Sequence, residues 1–135
     1  MAKEPEPENQ AKDPKSKAIH WLAEVAEHDY PAAQSYLGLL FSPDQVDRQI
    51  AAFLAAPVVR VKAKDIFRAS QLSLLGVSNS HVEKDQKRIR QGESLSPLLL
   101  LRDEAHGKVV IADGYHRLCS VYLVDEDAWI PCKIV

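Results

Sequence analysis

Residues 111–118 read Ile111-Ala112-Asp113-Gly114-Tyr115-His116-Arg117-Leu118, and the change of pattern inside this stretch decides the fold. Val109-Val110-Ile111-Ala112 is a run of strand type, while Tyr115–Leu123 has helical character. Only Asp113-Gly114 separates them, so a strand passes straight into a helix. Gly114 supplies the tight turn and lets the backbone approach a ligand closely. The first amides of the helix, near Tyr115 to Arg117, would lack intrahelical partners and lie at the positive end of the helix dipole. Such a turn is an anion site before any side chain contributes. Arg117 adds a planar fork suited to phosphate, His116 a donor or proton carrier near neutral pH, and Asp113 a helix cap or a carboxylate beside a metal ion. The plainer reading leaves Asp113 as a cap only, His116 in solvent and Arg117 paired with an acidic neighbour.

Working outward, Pro97 precedes Leu98-Leu99-Leu100-Leu101, a continuous apolar run expected of a strand buried on both faces. Asp103–Gly107 reads as the turn that returns the chain into Val109–Ala112. After the helix, Asp125-Glu126-Asp127 marks a turn and Trp129-Ile130-Pro131-Cys132-Lys133-Ile134-Val135 a closing strand. Further upstream, Val58–Val61 is a short strand candidate and Asp65 caps a short helix. Gly76–Asn79 is a loop. Ser80-His81-Val82-Glu83 has capping-box form and opens a polar helix that Gly92 ends. Residues 58–135 thus alternate strands and helices around a small mixed sheet, an α+β domain.

Residues 18–57 read as a helical extension. Ile19, Leu22 and Ala26, with Trp21 and Val25, predict a first helix that Asp29-Tyr30-Pro31 stops. Pro31 suits the start of a second helix with Tyr36, Leu37, Leu40 and Phe41 on its apolar face. Ser42-Pro43-Asp44-Gln45 is a capping box opening a third, whose stripe is Val46, Ile50, Phe53 and Leu54. This block carries Glu24, Glu27, Asp29, Asp44 and Asp47 against Arg48 alone. It is either a partner- or dimer-binding element or a layer packed on the core. Residues 1–17, with Pro5, Pro7 and Pro14 and few apolar residues, cannot offset their ordering entropy by burial and are expected to be a flexible tail.

Seventeen basic and nineteen acidic residues leave a net charge of −2 over 135 residues, against a protein that lives on nucleic-acid backbone contacts. No apolar run reaches the roughly 20 residues needed to cross a bilayer, and the N-terminal stretch lacks the apolar core of a secretory leader. A cytoplasmic protein without a membrane association is expected. Cys119 and Cys132 lack zinc-site spacing and are expected as buried, reduced thiols; no metal ligands are assigned.

Residues 58–135 resemble the ParB N-terminal/sulfiredoxin superfamily. Gly114-Tyr115-His116-Arg117 is similar to its Gly-x-x-Arg phosphate loop, Pro97–Leu101 to its buried strand and Trp129–Val135 to its closing I-P-V strand. The string Asp113–Arg117 is closest to the Asp-Gly-His-His-Arg of free-serine kinases of the superfamily. The resemblance implies an α+β, ParB/sulfiredoxin-like fold and a nucleotide, ATP or CTP with Mg²⁺, at Gly114, Tyr115, His116 and Arg117. Tyr115 stands where sulfiredoxins carry their catalytic cysteine, which argues against sulfinic-acid reduction. His116 replaces one of the paired arginines of partition proteins, and the stretch from the motif to Val135 carries no helix-turn-helix reader, so partition-type centromere binding is not expected.

A second constellation lies on the Ser80–Gln91 helix, where His81, Asp85 and Arg88 share one face. Lys62, Lys64, Arg68, Lys84, Lys87, Arg88 and Arg90 outnumber Asp65, Glu83 and Asp85, a local excess inside an acidic protein. The resemblance implies that this helix faces the phosphate loop. Asn79, Ser80 and His81 would then offer a second set of donors and Arg88 a cation, while His20, His28 and His106 are incidental. The leading expectation is a nucleotide- or phosphate-binding domain, with phosphoryl transfer or nucleotide hydrolysis as its chemistry and no catalytic acid assigned. The alternative is a non-catalytic interaction or regulatory module, with a homodimer or protein partner on the extension. A DNA-binding or nuclease-like protein is third.

Overall fold

The Leu98–Leu101 run is buried on both faces because two cores divide it by strand alternation: Leu98 and Leu100 enter one, Leu99 and Leu101 the other. The structure is a computed structural model and describes residues 19–76 and 78–135. The expected tail, residues 1–17, lies outside the described residues, as does Val77 in the expected loop.

Among the described residues the fold is mixed α+β, with five helices and two small sheets. Strands are β1 (His20–Trp21), β2 (Val59–Lys62), β3 (Ser94–Leu95), β4 (Leu98–Asp103), β5 (Lys108–Asp113) and β6 (Trp129–Ile134). Helices are α1 (Asp29–Leu37), α2 (Pro43–Ala55), α3 (Ala63–Ser70), α4 (Ser80–Arg90) and α5 (Tyr115–Val124), with a 3-10 turn at Glu104–His106. The main sheet has the order β2-β6-β4-β5, antiparallel except where β4 and β6 run parallel. Pro131, which cannot donate to a ladder, sits opposite Arg60 just before β4 joins β6 at Cys132. β1 and β3 form a separate parallel pair.

One face of the main sheet packs Leu98, Leu100, Ile111, Ile130 and Cys132 against Ala63, Ile66, Ile89, Leu118 and Val121 from α3, α4 and α5. The other packs Leu99, Leu101 and Ala112 against Val25, Ala33, Leu37, Val46 and Phe53. Part of the apolar surface of residues 18–57 is therefore spent on the sheet. Lys133 is also buried, its Nζ 3.4 Å from Glu24 and 5.7 Å from the Tyr30 ring, and so fastens the segment before α1 to β6.

Several local expectations need correction. No helix forms over residues 19–26. His20 and Trp21 instead pair with Ser94 and Leu95, and the Ala26 amide donates to the Ser96 hydroxyl at 3.0 Å. Ile19 and Trp21 pack against the α3–α5 core. The spacing of Ile19, Leu22 and Ala26 fits a helix, but long-range pairing outweighs so short a periodic run. Asp29 and Tyr30 begin α1 rather than stopping a helix, so Pro31 falls at its third position, still within the first turn where no donor is missed. Tyr36 and Leu40 are exposed, leaving Ala33 and Leu37 as the buried face. The α2 capping box is as expected: the Ser42 side chain accepts from the Gln45 amide and Gln45 reaches back. Asp65 does not cap α3, whose N-cap is Lys62; it pairs with Arg68 at 2.8 Å. The α4 cap lies one residue before Ser80, at Asn79, whose Oδ1 accepts from the amides of His81 and Val82. Gly92 takes φ +74 beyond α4, as expected of a C′ residue.

Candidate functional site

The strand-to-helix step is built by a β-bulge and then a glycine. In the β4–β5 ladder Leu99 pairs with Asp113 but Leu100 pairs with Ile111, so Ala112 is the extra residue. Such a bulge bends the strand and re-aims the residues after it. Gly114 then takes φ +109, and a Cβ there would stand 2.6 Å from Leu98 Cγ and 3.0 Å from Arg117 Nη2. The position needs glycine for its dihedral and for its space. No side chain caps α5. Its first amides thus have neither intrahelical nor side-chain partners, as the sequence pattern implied.

α4 lies against this start. The Ser120 hydroxyl lies 3.0 Å from the Val82 carbonyl and 2.9 Å from the His116 carbonyl, and Gln86 Nε2 donates to the Ser120 carbonyl at 3.3 Å. The packing opens a polar cleft of 210 Å³ between the helices. His81, Lys84, Asp85 and Arg88 line it from α4, and Asp113, Gly114, Tyr115, His116 and Arg117 from the loop and α5. The His81 and His116 rings face each other at 4.7 Å between centroids. Burial pushes the His116 imidazole below its ordinary value, and the neighbouring His81 adds to the effect. Arg88 pairs with the buried Asp85 at 3.1 Å and stays half exposed.

The structure therefore brings His81, Arg88, Asp113, Gly114, Tyr115, His116 and Arg117 to one cleft. Asn79 and Ser80 stand apart from it. Asn79 spends its side chain on the His81 and Val82 amides, so those donors are occupied, and Ser80 is exposed in the first turn of α4. Lys84, left out as a candidate, lines the cleft, and its place one turn after His81 was the available signal.

Two roles change. Asp113 does not cap α5. It pairs with Arg117 at 3.0 Å, and Arg117 Nη2 is also 3.3 Å from Asp29 of α1. Arg117 is only 16 % exposed and Asp29 only 4 %. Nη2 of the Arg117 fork is thus held by two carboxylates, as in the plainer reading for this residue, while its buried Nε has no hydrogen-bond partner among the described residues. Burial raises the Asp113 carboxyl above its ordinary value; Arg117 opposes this and Asp29 reinforces it. Cys119 and Cys132 are buried and joined in no disulfide, as expected. Burial pushes the Cys119 thiol up, and the thiol sulfur accepts from the Leu75 amide at 3.4 Å, facing away from the cleft.

A second cleft, of 370 Å³, shares Asp113, Gly114, Tyr115 and His116 with the first. Its other walls are Ala32 and Tyr36 of α1, Leu72, and Ile111 and Ala112 of β5. The Tyr115 hydroxyl donates to the Ser73 carbonyl, pinning the segment after α3 beside this cleft. Among the described residues no cluster of three metal-ligating side chains occurs, and no helix is long and apolar enough to cross a membrane. Comparison with family models, with curated proteins and with solved structures finds no match for this chain.

Proposed function

We propose that the chain binds the phosphate groups of a small ligand in the cleft between α4 and the start of α5, in the manner of a ParB/sulfiredoxin-like nucleotide domain. The observation that carries this reading is the convergence on one cleft of an uncapped helix start with Lys84, Arg88 and two imidazoles. Unpaired amides and the helix dipole favour an anion, and Lys84 and the Asp85-paired Arg88 add positive charge around it. The order of elements, a buried strand pair, a glycine turn into a helix and a closing strand, supports the family reading. ATP or CTP with Mg²⁺ is the ligand that reading favours. Transfer or hydrolysis of a phosphoryl group would draw on the same positioning and charge stabilisation.

The test is thermal unfolding with ATP, CTP and inorganic phosphate, with Mg²⁺ present. A ligand at about 100 times its Kd stabilises by about 2.7 kcal/mol, roughly 10 °C here. Lys84→Gln with Arg88→Gln should remove most of the rise. Arg117→Ala is a poor probe, because it also strips Asp29 of its partner. A flat response to every phosphate compound would sink the proposal.

A second reading rests on a different observation. Leu39 and Leu54 are 83 % and 59 % exposed on the acidic block, with Tyr36 and Leu40 also open. They suit an interaction module. Light scattering on the wild type and on Leu39→Asp would test it; an unchanged monomer in both argues against it. Phe53→Asp cannot serve, because Phe53 is fully buried.

A further inference from the structure

We infer that the ligand held by its phosphates in the polar cleft places a planar, largely apolar group in the adjoining cleft beneath α1, and that this second cleft selects nucleobases only weakly. The inference rests on the phosphate-binding reading. The polar cleft alone, at 210 Å³, falls below the roughly 300–1,000 Å³ of small-molecule sites; joined to the 370 Å³ beside it, the pair falls within that range. The two are continuous in their walls, since the loop Asp113–His116 lines both. A molecule lying over the loop would keep its anionic end over the α5 amides and its other end against Ala32, Tyr36 and Leu72.

The chemistry of the second cleft names the occupant. Ala32, Tyr36, Leu72, Ile111 and Tyr115 offer aromatic and aliphatic surface, and the Tyr115 hydroxyl is already spent on the Ser73 carbonyl. Charged or ionisable side chains enter through Asp113 and His116 of the shared loop, and Tyr36 adds one phenolic hydroxyl. Such a wall accepts a ring by stacking and shape. Stacking tolerates every base, and apolar contacts discriminate weakly where hydrogen-bonded edges discriminate strongly. The wall that would tell a nucleotide from a bare polyphosphate thus includes Ala32 and Tyr36 of α1, part of the acidic block that lies outside the stretch resembling the phosphate-loop family.

The experiment is calorimetric titration of the full chain with ATP, CTP and inorganic tripolyphosphate, each with Mg²⁺. ATP and CTP should bind within about tenfold of each other, and tripolyphosphate at least about tenfold more weakly. Ala32 is exposed on α1, so Ala32→Phe can fill the cleft without entering the core. It should bring both nucleotides to the level of tripolyphosphate and leave tripolyphosphate unchanged. Tyr36→Ala should narrow the gap. Equal binding of tripolyphosphate and nucleotides, a nucleotide advantage that survives Ala32→Phe, or a base preference above about 100-fold overturns the inference while leaving phosphate binding intact. Failure of all three compounds to bind the wild type overturns both.

Discussion

Replacing Gly114 by alanine tests the geometry on which the whole site depends. At φ +109 an L-residue is strained, at a cost of about 1–2 kcal/mol. The new methyl would also stand 2.6 Å from Leu98 Cγ and 3.1 Å from Leu98 Cδ1. Leu98 is fully buried in the core between the sheet and helices α3–α5, so it cannot swing away. Overpacking of that kind adds about 1–3 kcal/mol, giving about 2–5 kcal/mol in all. At roughly 4 °C per kcal/mol for a chain of this size, Tm should fall by about 8–20 °C. Two internal controls separate strain from crowding. Gly92 and Gly107 have φ +74 and +64, but a methyl added at either would meet nothing within 4 Å, so their alanine variants carry strain alone, about 1 kcal/mol each. Differential scanning calorimetry on the three variants reads the difference directly. Gly114→Ala combined with Leu98→Ala should cost less than the sum of the two single changes, since the second removes the group the methyl meets. A Gly114→Ala loss no larger than that of Gly92→Ala, or strict additivity with Leu98→Ala, would refute the close-approach argument.

Other parts of the molecule give three further expected outcomes. Phe53→Ala should cost about 3–5 kcal/mol in urea unfolding, because Phe53 fills the core under the sheet, whereas Leu54→Ala next to it, 59 % exposed, should stay within about 0.5 kcal/mol. Arg117→Met should cost about 3–5 kcal/mol by leaving the buried Asp29 with only the exposed His28, 3.3 Å away, beside it, and adding Asp29→Asn should recover part of the loss; no recovery in a double-mutant cycle would show that the pair is not coupled. His116 has a folded-state pKa below its ordinary 6.5, so the unfolded chain takes up the proton first. The stability this contributes is present above pH 6.5 and is lost as pH falls below it; His116→Gln should flatten that part of the stability–pH curve, and bound phosphate should reverse its slope by favouring the imidazolium.

The elements that were legible in the sequence carry their cause locally. Leu98–Leu101 announced a two-faced strand because no polar residue interrupts it, and Ser42 with Gln45 announced α2 because both halves of the cap lie within one turn. The Asp113-Gly114 step was legible because only a glycine tolerates that turn. What failed were readings whose cause lies far along the chain. Ile19, Leu22 and Ala26 have a helix-like spacing, yet His20 and Trp21 between them pair with Ser94 and Leu95, and nothing near residue 20 encodes those partners. The slip of the α4 cap from Ser80 to Asn79 has a different origin. Both residues are good caps, and the pattern ending at Glu83 favoured serine, while the backbone gave the extended position to asparagine. Arg117 is the most instructive residue. Its place in the loop was legible, but the 88 positions separating it from Asp29 hid the partner that takes its Nη2.

That pairing redistributes the work of the cleft. Arg117 Nη2, held between Asp29 and Asp113, cannot also grip an anion, so a bound anion would draw more on the cations of α4, Lys84 and the Asp85-paired Arg88. Under the phosphate-binding proposal the local basic excess would have a purpose that the net charge of −2 conceals: Lys84 and Arg88 line the cleft, beside Asp85 and Asp113, while most of the acidic residues of the 18–57 block do not. The pairing also gives Arg117 a second task. By joining α1 to the first turn of α5 it holds the wall of the apolar cleft in register with the Asp113–His116 loop. A buried ion pair is a poor source of net stability, but it fixes one arrangement against its neighbours. Here the arrangement it fixes is the distance between a polar cleft and an apolar one, the quantity on which a ligand spanning both would depend.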